Sequence, residues 1–105
     1  MALSTQFTRI PHPAPASEQR VSEVLADPGF GRYFTDHMVS IEYRDGQWTN
    51  PTVGPYQPLS MDPASMVFHY GQAIFEGLKA YREPDGTVAC FRADTNAARF
   101  RRSAR

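Results

Sequence analysis

Long apolar runs are missing from this chain. No stretch approaches the roughly 20 consecutive residues that would span a bilayer, which argues against a membrane helix. Cysteine is almost absent: Cys90 stands alone, so an internal disulfide is excluded and a reducing compartment fits. Neither sign of charge is in excess. Lys plus Arg and Asp plus Glu number 11 each, so there is no general reason to expect nucleic acid or an anionic membrane as partner. The first residues, Met1 to Gln6, lack the basic start and apolar stretch of a secretory signal, and the cytoplasm is the expected compartment. Lysine is the scarcest charge of all, since Lys79 is the only one among the 11 basic residues.

Several chemistries are also missing. His12, His37 and His69 have no ligand-like spacing with one another or with Cys90, so no metal site is expected. There is no nucleophile elbow and no glycine loop of the kind that cradles phosphate. Glu42, Glu76 and Asp36 stand isolated and read as capping or surface carboxylates.

What the chain does have is enough material for one domain and too little for two: 105 residues, 41% of them hydrophobic, with seven Phe, five Tyr and one Trp. Pro11, Pro13 and Pro15 predict an extended arm over residues 1–16, because each proline fixes φ and removes a donor. Ser17 to Ala26 carries Val21, Val24 and Leu25 at helical spacing, with Ser17 as the cap, and Asp27-Pro28-Gly29 ends that helix. His37 to Tyr43 alternates as a strand. Arg44-Asp45-Gly46-Gln47 supplies a turn, and Trp48 starts the returning strand. Four prolines between Pro51 and Pro63 predict a surface loop.

Asp62-Pro63 looks like a helix start that places Val67, Tyr70, Gly71, Ile74 and Phe75 on one stripe, with Gly77 as the C-terminal cap. Leu78 to Arg82 and Thr87 to Arg92 read as a hairpin around Glu83-Pro84-Asp85-Gly86. Asp94 is expected to cap a last helix with Ala97, Phe100 and Ala104 on its inner side. Because the chain ends inside that helix, the sequence reads as truncated there.

Two segments invite a functional reading. In HYGQAIFEGLKAY, running from His69 to Tyr81, Tyr70, Ile74 and Phe75 are core residues on the simplest view, while Gly77 would let another group approach the backbone closely. Arg99, Arg101, Arg102 and Arg105 form a basic run with three readings: a solvated face, a nucleic-acid footprint, or a phosphate site for one planar guanidinium. Composition does not separate them.

Together, PGFGRYFTDHMVSIEY, HYGQAIFEGLKAY and NAARFRRSAR occur in an order and spacing that resemble the branched-chain amino-acid aminotransferases, class IV pyridoxal-phosphate enzymes. The resemblance covers roughly residues 30–105. It implies an α/β (α+β) small domain of the fold-type IV enzymes over residues 17–105, with antiparallel hairpins packed on two or three helices. It also implies a homodimer acting on amino acids and 2-oxo acids, and pyridoxal 5'-phosphate as cofactor.

By the same resemblance Arg99 binds the cofactor phosphate, and Phe30, Tyr70 and Phe75 wall the pocket for an aliphatic side chain. Tyr70 reaches the site of the other subunit, and Gly77 and Lys79 lie beside the substrate. In these enzymes the Schiff-base lysine lies beyond the point matching Arg105, so Lys79 is not that group and the 105 residues alone are expected to be inactive. Alternatives are another class IV enzyme, such as a D-amino-acid aminotransferase or a lyase of folate synthesis, and a non-catalytic dimerisation or binding module on the same fold. The TDHM-containing extension favours the branched-chain group.

Overall fold

The computed structural model describes residues 6–105. The expectations for the first five residues, an extended arm and a start without the marks of a secretory signal, lie outside the described residues. The chain divides into two compact units, one extending to Leu59 and the other spanning Ser60–Arg105. Together they hold three helices and five strands among the described residues, the mixed α/β content expected.

In the first unit, β1 (Thr8–Arg9) runs parallel to β3 (Gln47–Pro55), which pairs antiparallel with β2 (His37–Arg44), giving the order β1-β3-β2. Part of the expected arm is therefore strand, continued by the bond from Ile10 N–H to Val53 O at 2.9 Å. The hairpin turn is the expected one. Asp45 and Gly46 take φ of 52° and 79°, both left-handed, as a two-residue turn matched to strand twist requires. Tyr43 and Trp48 then face each other edge-on with ring centroids 5.1 Å apart.

The proline-rich stretch departs from expectation. Instead of a loop from Pro51, β3 continues to Pro55. The register slips between Ser40 and Glu42, which pair with Thr52 and Thr49, so Asn50 and Pro51 together oppose Ile41. Asn50 takes a φ of 50°. At a bulge the extra residue makes no ladder bond, and there the N–H that proline lacks is not missed.

Helix α1 (Glu18–Ala26) begins as predicted, with Ser17 Oγ accepting from Arg20 N–H at 3.2 Å. Beyond it, Phe34 stacks on Tyr56 at 5.3 Å, and Tyr56 N–H donates to Asp36 O.

In the second unit α2 is one short turn, Met66–His69. The long helix expected from Asp62 to Gly77 does not form. Asp62 accepts from Ala64 N–H at 2.7 Å through its side chain and from Ser65 N–H at 2.9 Å through its carbonyl, which closes a local turn. Gly71, at φ 59°, follows Tyr70 and ends the helix. The left-handed glycine is thus Gly71, and Gly77 is not among the positive-φ residues.

Residues 71–79 carry no regular secondary structure. They lead into β4 (Ala80–Arg82), which pairs antiparallel with β5 (Val88–Cys90), a narrower hairpin than expected. Asp85 closes its turn by accepting from Thr87 N–H at 2.9 Å and Thr87 Oγ1 at 2.7 Å.

Helix α3 (Ala93–Ser103) starts one residue before Asp94, which lies inside the first turn. Arg92 occupies the cap position at φ 50° without a side-chain bond, so the expected cap is corrected. No large hydrophobic side chain among the described residues is buried, and the one buried residue among them is Gly54 of β3, beside the Ile10 side chain.

Candidate functional site

The side-chain arrangement that stands out in the second unit joins α3 to residues 75–77. Asn96 and Arg99 lie one turn apart on α3 and therefore share a face. Both reach the same carboxylate. Arg99 Nε donates to Glu76 Oε2 at 2.6 Å, and Asn96 Nδ2 donates to Glu76 Oε1 at 2.9 Å. Glu76 Oε1 also accepts from Gly77 N–H at 3.2 Å. The backbone is tied in as well: Asn96 Nδ2 donates to Gly77 O at 2.9 Å, and Arg99 Nη2 to Phe75 O at 3.2 Å. The guanidinium carbon sits 5.3 Å from the centroid of the Phe75 ring, within cation–π range.

The electrostatics follow from this geometry. The Glu76 side chain is only 15% exposed, yet it is held by three N–H donors, a setting that favours the charged carboxylate. The Asn96 amide above all, then the Arg99 guanidinium, hold its pKa below the ordinary value of 4.5, against a smaller opposing effect of desolvation. Arg99 is 46% exposed and keeps unused capacity. A guanidinium carries five N–H donors, and the two bonds just described leave both on Nη1 and one on Nη2. An outward edge with paired donors is the form of arginine suited to a carboxylate or phosphate.

The residues singled out in the sequence fall into three groups. Phe75, Gly77 and Arg99 are brought together by hydrogen bonds. Tyr70 and Lys79 lie at the two ends of the irregular segment that carries Phe75, both exposed. Phe30 belongs to the first unit, between α1 and β2, and is 99% exposed.

The expectation that Tyr70 and Phe75 are core residues is corrected: they are 83% and 78% exposed. With the helix ended at Gly71, no helical stripe exists to turn them inward. Sequence reasoning missed Glu76, read as an isolated carboxylate, because its partners lie 20 and 23 residues away. The available signal was the pairing of one carboxylate in FEG with an N-x-x-R spacing that puts an amide and a guanidinium on one helix face. Asn96 was missed as a partner for the same reason. No group of three or more metal-ligating side chains occurs among the described residues.

No family model matches the chain. Individual proteins do. It is 53% identical to a branched-chain-amino-acid aminotransferase of Mycobacterium tuberculosis over 97% of its own length and 28% of the relative's. It is 58% identical to branched-chain-amino-acid transaminase 1 of Bacillus subtilis over 71% of the chain and 21% of that protein. The mitochondrial branched-chain-amino-acid aminotransferase of Saccharomyces cerevisiae is 46% identical over 98% of the chain and 25% of that protein.

By class, then, the chain is a relative of the aminotransferases. Within that class it resembles the branched-chain amino-acid enzymes named above, as its motifs indicated, and it spans about a quarter of their length.

Proposed function

We propose that these residues are the small-domain part of a pyridoxal-phosphate-dependent branched-chain amino-acid aminotransferase. The whole enzyme moves the amino group between leucine, isoleucine or valine and 2-oxoglutarate. The observation that carries the reading is the anchored Arg99, whose Nε edge is taken by Glu76 while its outer donors have no protein partner among the described residues. A fixed cation with paired donors suits a phosphate dianion, so the residues present fit the cofactor.

Arg99 would hold the phosphate, and the bound cofactor supplies an electron-withdrawing ring. The chain's own contribution is to bind and orient. Phe30, Tyr70 and Phe75 are large, open apolar groups, suited to select an aliphatic side chain at about 25 cal/mol per Å² buried. Gly77 and Lys79 belong beside the substrate. Lys79, the sole lysine, is not the cofactor-linking residue in this reading, so residues 1–105 alone are inactive. Exposed aromatics on both units support a homodimer to which Tyr70 contributes across the interface. No helix among the described residues is long and apolar enough to cross a membrane, and the cytoplasm is the proposed compartment.

The test is a coupled assay of glutamate formed from leucine and 2-oxoglutarate, with pyridoxal phosphate added. Protein made from the native gene is expected to turn over, and residues 1–105 expressed alone are not. Turnover by the isolated 105 residues would overturn the division of labour. Activity on D-alanine without activity on leucine would move the protein to the D-amino-acid enzymes.

A further inference from the structure

We infer that Glu76 is a positioning residue: its carboxylate holds the Arg99 guanidinium by the Nε edge and so turns the opposite edge toward an incoming phosphate. The inference rests on the reading of Arg99 as the phosphate ligand and adds a role for a residue to which that reading assigns none.

Both oxygens of Glu76 are engaged, Oε2 by Arg99 and Oε1 by Asn96 and by Gly77 N–H. The carboxylate is therefore fixed from α3 and from its own backbone, and cannot swing to the guanidinium's outer edge without losing those bonds. Arg99 is long and has many rotamers, so an unheld guanidinium would give up much entropy on binding an anion. Glu76 and the Phe75 carbonyl absorb that ordering before the anion arrives, leaving three N–H groups unspent. Like any glutamate whose pKa is not raised, Glu76 is ionised at neutral pH, so the hold persists where an enzyme works.

A plain ion pair makes the opposite prediction. If Glu76 merely neutralised Arg99, removing its charge would raise the local positive potential and strengthen phosphate binding. If it positions Arg99, removing the charge weakens that binding. Glu76→Gln separates the two: it keeps size but has a single acceptor oxygen, which cannot serve Arg99 Nε and at the same time Asn96 Nδ2 and Gly77 N–H, donors that use different oxygens of the carboxylate.

The experiment uses the protein made from its native gene in apo form, titrated with pyridoxal phosphate and with pyridoxal, which lacks the phosphate. The readouts are absorbance and the phosphorus NMR shift of the bound cofactor. Glu76→Gln is expected to weaken pyridoxal phosphate binding roughly tenfold, with pyridoxal binding unchanged and the phosphorus shift moved.

Asn96→Ala, which removes one of the two donors to Glu76 Oε1 and leaves Gly77 N–H on it, should act in the same direction and more weakly, and it serves alone if Glu76→Gln does not fold. Unchanged or tighter pyridoxal phosphate binding in the folded variant overturns the positioning role, as does an equal loss for both ligands. Arg99→Ala distinguishes the two levels. If that variant binds pyridoxal phosphate normally, the phosphate reading itself falls. If it binds weakly while Glu76→Gln does not, only the role of Glu76 falls.

Discussion

The two compact units are organised on different principles. Up to Leu59, the β2–β3 hairpin and the added β1 are held by backbone ladders, and side chains add local contacts such as Ser40 Oγ to Thr52 Oγ1 at 2.7 Å. From Ser60 onward, residues 71–79 have no ladder, and residues 75–77 are held by side chains arriving from α3. The first unit is set by turns and ladders; the second has its own short ladder between β4 and β5, but the segment ahead of it is set by a clamp. A ladder is built from groups every residue but proline carries. The clamp depends on Asn96, Arg99 and Glu76, and so it is the place where one substitution has a specific consequence.

Substitutions at the clamp and at the hairpin should separate the two principles. The largest effect is expected from Arg99→Ala, which removes the outward donors and the anchor together. Affinity for pyridoxal phosphate should fall roughly 30-fold, about 2 kcal/mol, in an equilibrium titration of the apo protein. An unchanged affinity would leave the clamp a purely structural device.

Next is Gly46→Ala in the first unit. At a φ of 79°, and with nothing within 4 Å of the added Cβ, the cost is backbone strain alone. Urea unfolding should report a loss of about 1–2 kcal/mol with cofactor affinity untouched. A change in affinity from this hairpin variant would break the comparison.

Ser17→Ala removes the cap of α1 and should cost about 1 kcal/mol in the same measurement.

The smallest effect is expected with acid. The folded pKa of Glu76 lies below 4.5, so its contribution to stability is present above that pH and is lost as pH falls through the folded value. Asp85, held low by its bonds from Thr87, behaves in the same sense from 3.8. The urea midpoint should therefore decline between about pH 4.5 and the folded values, and Glu76→Gln should flatten the part of the decline that Asp85 does not explain. An identical pH profile in the variant would show that the carboxylate does not support the fold.

Much of the first unit was legible because its determinants are local. Asp45-Gly46 demands a hairpin turn of one kind, and Ser17 offers its oxygen three residues ahead. The bulge at Asn50-Pro51 was not legible, since four nearby prolines look like a loop unless the partner strand is known to skip a residue. In the second unit, the spacing of Val67, Tyr70, Ile74 and Phe75 suits a helix on periodicity alone. Gly71 is compatible with continuing that helix or with stopping it, and nothing nearby in sequence chooses between them. Arg99 was found through the resemblance of its motif, whereas Glu76 needed the fold.

The sequence by itself determined the hairpin turns, the α1 cap, the lone cysteine that excludes a disulfide within these 105 residues, and the motifs whose likeness to aminotransferases the relatives bear out. These depend on groups a few residues apart or on patterns that survive as text. Only the tertiary structure decided where α2 stops, that Tyr70 and Phe75 are open, and that Glu76 joins Asn96 and Arg99. The physical reason is range. A carboxylate finds a guanidinium 23 residues away only after the chain between them has folded into a hairpin and a helix that bring the two together.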